Sequence, residues 1–517
     1  MQTFQTVKPA VRSRHGMVAA QNRQAAEAGA AVLARGGNAM DAAIVTALVL
    51  SVVEPWLSGI GGGGFLLHCD GNSGEVNTLD FNVVSAAGLD PGDYPLGGSD
   101  AGNWFNWPTV RGERNVSGYG SVCVPGALAG FDAALSRFGS LSLADALAPA
   151  IEHAERGLEL DWFICLAIAV DAAGLAQHQA SAELFLDAGR APRASDRTPV
   201  QRLPMPAKAR MLKRVAAAGA ADFYQGEIAL KLVQDLQAGG SPIRLSDLAA
   251  YQPHWRAPLV GQYRGFEVNL IDGLSGGPTW LDASRKLQMS NLGPTSGAGD
   301  AAVAYATAIR DAYEHRLTTM GHAATPEAGC TSHLSVVDAD GTMVSLTNTL
   351  LSRFGSKVVL PQAGLLMNNG MMWFDPRPGQ PNAIAAGAKP LANMCPIILK
   401  SDGRAALAIG AAGGRTIFPT VLQLVSYVAD FGLSLEDAFQ APRIDASTPT
   451  IKVSTRALPE VAAALRHRFP VEVVEDEVYP VLFAVPSAVM RHGGENIGMA
   501  HPNHPWAAVA VGTRDGA

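Results

Sequence analysis

Charge is scarce in this chain. Of 517 residues, 39 are Lys or Arg and 46 are Asp or Glu, and the net charge is −7. Without a basic surplus or a Lys/Arg run there is little to displace counterions, which argues against electrostatically driven nucleic-acid binding. Low charge beside 48 % hydrophobic residues also excludes intrinsic disorder. Cysteine is scarce too. Cys69, Cys123, Cys165, Cys330 and Cys395 are odd in number and include no CxxC, so they suggest neither a zinc site nor a disulfide framework. Unpaired thiols suit a reducing compartment, and all but Cys330 read as buried structural residues. The opening MQTFQTVKPAVRSRHG has no apolar signal core. The longest apolar run, Ala42 to Val53, is too short to span a bilayer and reads as a buried helix. These absences predict a cytoplasmic protein with no membrane or nucleic-acid partner. HExxH and a Gly-Lys-Ser/Thr phosphate loop are both missing, so no metal or organic cofactor is expected. The two histidines of HPNHP, at 501–505, are read as an extended, proline-held loop.

Glycine, by contrast, is abundant at 55 residues. Residues 21–35 predict a helix stopped by Gly36-Gly37. Asn38 can cap the next helix, with Asp41 in its first turn, and Pro55 ends it. Gly59–Gly64 formally contains GxGxxG. A dinucleotide site needs strand, glycines, then helix, whereas the order here is helix, glycines, strand; close backbone packing is the better reading. Two helices are expected within 118–160, and 175–330 reads as mostly helical. The pattern changes at 331, where strands begin to cluster, including GLLMNN and AALAIG. Helices early and strands late predict a layered α+β protein.

Two features could carry chemistry. In AALAIG-AAGGR a strand meets a loop, Gly410–Arg415, and then a helix; such a loop can aim backbone N–H groups at a developing negative charge. It can equally be a tight turn. The run SHLSVVDADGTMVSLTNTL reads as a hairpin with a three-residue loop, Ala339-Asp340-Gly341. That register sets His333 opposite Thr347 and Thr331 opposite Thr349. Facing hydroxyls can be a nucleophile with a hydrogen-bonding neighbour, or an ordinary Thr–Thr pair.

Several motifs in this order closely resemble the gamma-glutamyltranspeptidase family of N-terminal-nucleophile hydrolases. They are GMVAAQNRQAAEAGAAVLARGGNAMDAAIVTALVLSVVEPWLSGIGGGGF, VPGALAGFDAALSRFG, TSHLSVVDADGTMVSLTNTL, LLMNNGM, KPL-x-NM-x-P, GAAGG and APRID. The resemblance implies a four-layer αββα sandwich and a precursor that cleaves itself between Cys330 and Thr331. It implies a large chain, 1–330, and a small chain, 331–517, as mutual partners, with dimerisation of the pair left open. It assigns Thr331 as nucleophile, Thr349 as its orienting partner, and Gly413 and Gly414 as the oxyanion hole. A free N-terminal Thr makes chemical sense, because its own α-amine can serve as the base near neutral pH.

The glutamate clamp departs from the family pattern. Trp373 stands where an Asp that binds the substrate's α-amine would be. The segment 80–91 lacks the Arg that binds the α-carboxylate. Ala392 and Asn393 replace paired serines, and Leu351 replaces an Asn. A charged amino-acid head bound without partners would lose several kcal/mol. The expected substrate is therefore a small amide with a different acyl group, glutaryl-like or otherwise carboxylate-bearing. Trp373, Met371 and Met372 suggest an apolar or wider pocket. Arg353 or Asn393 is the expected carboxylate ligand, and Trp104-Phe105-Asn106-Trp107 either walls the site or packs a loop. A true gamma-glutamyltransferase with a rearranged clamp, and an unprocessed binding homologue, remain as alternatives.

Overall fold

The structure is a computed structural model that describes residues 6–98, 107–194, 200–322, 332–479 and 481–513. Local capping sets the first two helices. Asn22 accepts from the Gln24 N–H at 2.9 Å and starts Arg23–Ala34 (α1). Asn38 and Asp41 exchange side chain-to-backbone hydrogen bonds at 3.0 Å, a reciprocal capping box that starts Ala39–Val53 (α2). Every residue of α2 is buried. A helix that is apolar on all sides belongs in the interior, and this one packs against a sheet rather than facing water.

Fourteen strands make two antiparallel sheets. In chain order they are Val11–Ser13 (β1), Met17–Ala20 (β2), Gly63–Cys69 (β3), Val76–Asp80 (β4), His254–Arg256 (β5), Leu259–Tyr263 (β6) and Phe266–Leu270 (β7). Then come Ser332–Val337 (β8), Met343–Thr349 (β9), Ile397–Ser401 (β10), Arg404–Ala412 (β11), Val485–His492 (β12), Glu495–Ala500 (β13) and Ala508–Val511 (β14). The first sheet runs β14-β2-β8-β9-β3-β4-β5, and the second runs β1-β13-β12-β11-β10-β7-β6.

Helices cover both outer faces. Leu334, Val336 and Leu346 of the first sheet share a core with α2 residues such as Ile44 and Leu48. Leu407 and Ile409 of the second share a core with Trp280, Ile309, Phe418 and Val421, on the helices Gly277–Gln288, Ala298–Thr319 and Ile417–Ala429. Each such aliphatic side chain stabilises by roughly 1.5–3 kcal/mol. The result is the four-layer αββα sandwich. Among the described residues no helix is long and apolar enough to cross a membrane.

Some expectations need correction. The stretch 175–330 is mostly helical as read, but β5, β6 and β7 also fall inside it and edge both sheets. Tyr263 pairs with Phe266 around Arg264-Gly265, both at positive φ (48° and 85°), a two-residue hairpin turn that outweighs the Ala-rich surroundings. HPNHP is turned, not extended: the His504 N–H reaches the His501 carbonyl at 3.4 Å. Only Leu365–Leu366 of GLLMNN forms a strand, and Cys165 is half-buried rather than buried.

Candidate active site

The β8–β9 hairpin has the register expected from its loop. Ser332 pairs with Asn348, His333 with Thr347 and Val337 with Met343, and Gly341 closes the turn at φ 89°. Alternation sends the even residues Leu334, Val336 and Leu346 toward α2. The odd residues face the second sheet, where the contact is polar. His333 Nδ1 lies 2.9 Å from Thr347 Oγ1, and its Nε2 lies 2.9 Å from Ser335 Oγ. Ser345 Oγ donates to the Ile409 carbonyl at 3.2 Å. Burial pushes the His333 pKa down to about 3, so the ring is neutral. A Cβ on Gly410 would sit 2.5 Å from the His333 ring, so glycine at that position lets the two sheets stack.

This stacking aligns the end of β9 with the end of β11. At the end of β9, Thr349 Oγ1 accepts from the Leu351 N–H at 2.6 Å and lies 3.5 Å from the Leu57 carbonyl. The Thr349 carbonyl crowds the glycine loop, where a Cβ on Gly62 would lie 1.7 Å from it. The loop is thus close-packed backbone. Beyond Thr349 the chain is strained: Leu351, Phe354 and Lys357 take φ of 82°, 57° and 65°. Left-handed non-glycine residues each cost about 1–3 kcal/mol and cluster at functional sites.

At the end of β11 the chain turns through Gly413 (φ 144°) and Gly414 (φ 62°) into Ile417–Ala429. A Cβ on Gly413 would stand 2.8 Å from both Ala484 Cα and Thr416 Oγ1. Among the described residues neither glycine N–H has an acceptor. Two free donors on a strand-to-helix turn can stabilise an oxyanion.

A third segment joins this end of the sandwich. The Asn368 side chain is fully used: it donates to the Gly61 and Cys123 carbonyls at 2.8 Å and accepts from the Cys123 and Gly370 N–H groups at 3.0 Å. The Asn369 N–H donates to the Leu350 carbonyl at 3.1 Å, and its amide donates to Ser352 Oγ at 2.8 Å. These bonds tie the turn Gly370–Trp373 to the turn after Thr349. Asn382 donates to the Trp373 carbonyl at 2.7 Å and accepts from the Leu391 N–H at 3.1 Å, which brings Ala392 and Asn393 alongside. Met371, Met372 and Trp373 are buried. Asn393 is buried and its Nδ2 has no partner among the described residues, and the Ala392 carbonyl accepts from Arg316.

Thr349, Leu351, Trp373, Ala392 and Asn393 thus share one bonded neighbourhood, with Gly413 and Gly414 at the adjoining sheet end. Arg353 is on the same strained turn, and its guanidinium pairs with Asp171, which also takes Lys357 at 2.6 Å. Cys330 and Thr331 lie outside the described residues, as do Trp104, Phe105 and Asn106; Trp107 is buried.

The family model of gamma-glutamyltranspeptidase matches residues 25–327 and 300–511. The acylase ACY 1 proenzyme of Pseudomonas sp. (strain V22) is 34 % identical over 497 residues, covering 89 % of this chain and 87 % of that one. The chain belongs to the gamma-glutamyltranspeptidase family. It is therefore an enzyme of a hydrolase and acyltransferase family. The glutathione hydrolase proenzyme of Escherichia coli (strain K12) is 31 % identical, with 84 % of this chain and 81 % of that one covered. Among solved structures, the cephalosporin acylase from Bacillus halodurans superposes with a TM-score of 0.83 at 26 % identity, over 99 % and 98 % of the two chains.

Within this gamma-glutamyltranspeptidase fold, two features escaped the sequence reading. One is the burial that keeps His333 neutral together with its second hydroxyl neighbour, Ser335, where the register had given only Thr347. The other is the left-handed turn from Leu351 to Lys357, which no residue type announced. Asp375, two residues past Trp373, is held bidentately by Arg377 at 2.9 and 2.6 Å, so its carboxylate is already engaged.

Proposed function

We propose that this chain is a self-processing amidohydrolase or acyltransferase that uses Thr331 as its nucleophile. The Thr331 hydroxyl attacks the Cys330 carbonyl, the peptide nitrogen leaves, and water opens the resulting ester. Residues 1–330 and 331–517 then remain as the two chains of one enzyme. The freed α-amine takes the hydroxyl proton during attack on a substrate amide. Thr349 supports this reading: its Oγ1 accepts from Leu351 at 2.6 Å, and its proton has only a long, 3.5 Å bond to the Leu57 carbonyl to give up for the nucleophile. The Gly413 and Gly414 N–H groups receive the tetrahedral oxyanion. The leaving amine departs with a proton, and water or a second amine resolves the acyl ester.

The observation that supports this proposal is the stacking of β9 on β11 through Ser345–Ile409 and His333–Gly410, with the Thr349 hydroxyl at the end of one strand and the unbonded Gly413 and Gly414 N–H groups at the end of the other. For the acyl group we favour a carboxylate-bearing chain without an α-amine, such as glutaryl. The buried Trp373, Met371 and Met372 offer no charge to an ammonium, and Asp375 is already paired. Arg353 and Asn393 are the proposed carboxylate contacts.

Intact-mass measurement tests the first claim. The wild type should give two chains, the smaller beginning at Thr331, and Thr331→Ala should remain whole. An undivided wild type under all conditions overturns self-processing. Turnover of glutaryl- and gamma-glutamyl-p-nitroanilide tests the second: preference for the gamma-glutamyl compound overturns the acyl assignment.

A further inference from the structure

Glu54, at the C-terminal end of α2, is fully buried, and among the described residues neither of its carboxylate oxygens has a hydrogen-bond partner. Burial pushes its pKa up to about 8. His504 Nε2 stands 3.8 Å away, too far for a hydrogen bond. His504 Nδ1 accepts from the Ala507 N–H at 3.2 Å, so Nε2 carries the ring proton and faces the carboxylate. Lys8 is spent on the His504 and Ala507 carbonyls, at 2.5 and 2.6 Å.

The surroundings repeat the pattern. The Gln21 amide, the Ser58 hydroxyl and the Ser332 hydroxyl are also buried and, among the described residues, unpartnered. Their places in the fold are related. Glu54 meets His504, just before β14, while the Leu57 carbonyl accepts from Leu350, just past β9, at 2.9 Å. The segment 54–57, a turn closed by the Leu57 N–H to the Glu54 carbonyl at 3.3 Å, therefore lies over the end of the first sheet, with the Glu54 side chain on the β14 side and the Leu57 carbonyl on the β9 side. The two strands between them are β2, which Gln21 follows, and β8, which Ser332 begins. A cavity of about 280 Å³ lies close by, lined in part by Asn22 and Val53, the chain neighbours of Gln21 and Glu54; neither Glu54, Gln21 nor Ser58 lines it.

A buried, unbonded carboxylate costs several kcal/mol unless something donates to it. One carboxylate with an amide and a hydroxyl is a poor cage for a metal ion, which takes six or more oxygens or soft ligands. It suits a group with three tetrahedral donors. We infer that Glu54, with Gln21 and Ser58, forms a subsite for a primary ammonium group at the nucleophile end of the sandwich. The inference rests on the function proposed above. The ammonium has two sources: the α-amine freed by self-cleavage, or an amine carried by the substrate.

Glu54→Gln, measured beside the wild type, tests the subsite and separates the sources. Glutaryl- and gamma-glutamyl-p-nitroanilide differ only by an α-amine. If the substrate's amine binds, kcat/KM for the gamma-glutamyl compound falls about tenfold or more while that for glutaryl is kept. If the enzyme's own α-ammonium binds, both fall together by about tenfold or more, with two chains still seen by mass. Values for both substrates within about twofold of wild type, in a divided and folded variant, overturn the subsite. Should Glu54→Gln fail to fold, Glu54→Asp, which keeps the charge but shortens its reach, is read in the same way. An undivided wild type is a failure of self-processing, visible by mass alone. In that case the subsite stands only if ethylammonium chloride, against matched sodium chloride, raises the melting temperature of wild type and not of Glu54→Gln.

Discussion

Replacing Thr349 by Val removes one hydroxyl and keeps the side chain's shape. Two consequences follow. The buried Leu351 N–H loses its 2.6 Å acceptor, at a cost of about 1–3 kcal/mol. That bond also holds Leu351 at φ 82°, so the turn that carries Arg353 and touches Asn369 should relax. Stability should therefore drop by a few degrees in melting temperature. The chemical effect is separate. If the Thr349 hydroxyl orients the nucleophile, its loss should cost about 1.4–2.7 kcal/mol in the transition state, or roughly 10–100-fold in kcat with KM little changed. Self-processing should slow by a similar factor. Stopped assays with glutaryl-p-nitroanilide give kcat and KM, and timed intact-mass spectra give the processing rate. Thr349→Ser restores the hydroxyl and should recover most of both rates. A Thr349→Val enzyme with wild-type kcat and processing would refute the orienting role, whatever its melting temperature.

Gly413→Ala should fold with strain of about 1–3 kcal/mol, because φ 144° and two 2.8 Å approaches oppose a Cβ. The N–H is kept, but the backbone shift that relieves the clash re-aims it, so kcat should fall about tenfold or more if the Gly413 N–H serves the oxyanion; an unaffected kcat in a variant destabilised as expected would argue against that role. Arg353→Ala should raise KM for glutaryl-p-nitroanilide about tenfold if Arg353 meets the substrate carboxylate. If Arg353 serves only the partly exposed pair with Asp171, KM stays and stability changes by less than about 1 kcal/mol. Glu54 gives a pH signature in the undivided Thr331→Ala chain. Its folded pKa of about 8 lies above the ordinary 4.5, so the folded state keeps a proton that the unfolded state has lost. Stability is full below 4.5 and falls as pH rises toward about 8, by an order of a few kcal/mol. The titratable group that faces it is His504, held neutral by burial, with Lys8 beyond on the His504 carbonyl. The Thr331→Ala/Glu54→Gln double variant should lack this decline, and equal pH profiles for the two chains would show that Glu54 does not titrate there.

Features built from neighbouring residues were readable. The Asn38–Asp41 capping box needs three residues of spacing, and the β8–β9 register follows from one loop length. The Gly413–Gly414 turn is likewise local, since a strand, two glycines and a helix follow one another directly. What failed was also local but masked by composition: Arg264-Gly265 is a hairpin turn inside a stretch that reads as helical. Other features involve partners far apart in the chain. Nothing near Glu54 in sequence names His504, and nothing near Arg353 names Asp171. Hydrophobic burial places α2 without regard to the one carboxylate at its end, and only the docking of β14 brings His504 to it.

By itself, then, the sequence determined the capped helices, the hairpin register, the family and the residues to suspect, because capping, alternation and turn geometry act over a few residues. The tertiary structure decided which suspects meet. Gly410 lets β11 approach His333, and that contact aligns the Gly413–Gly414 donors with the Thr349 end of β9. It also showed that Asp375 is paired and that Glu54 is not, which depends on neighbours supplied by distant segments. Sheet stacking is a sum over many weak contacts, and no short stretch of chain carries that sum.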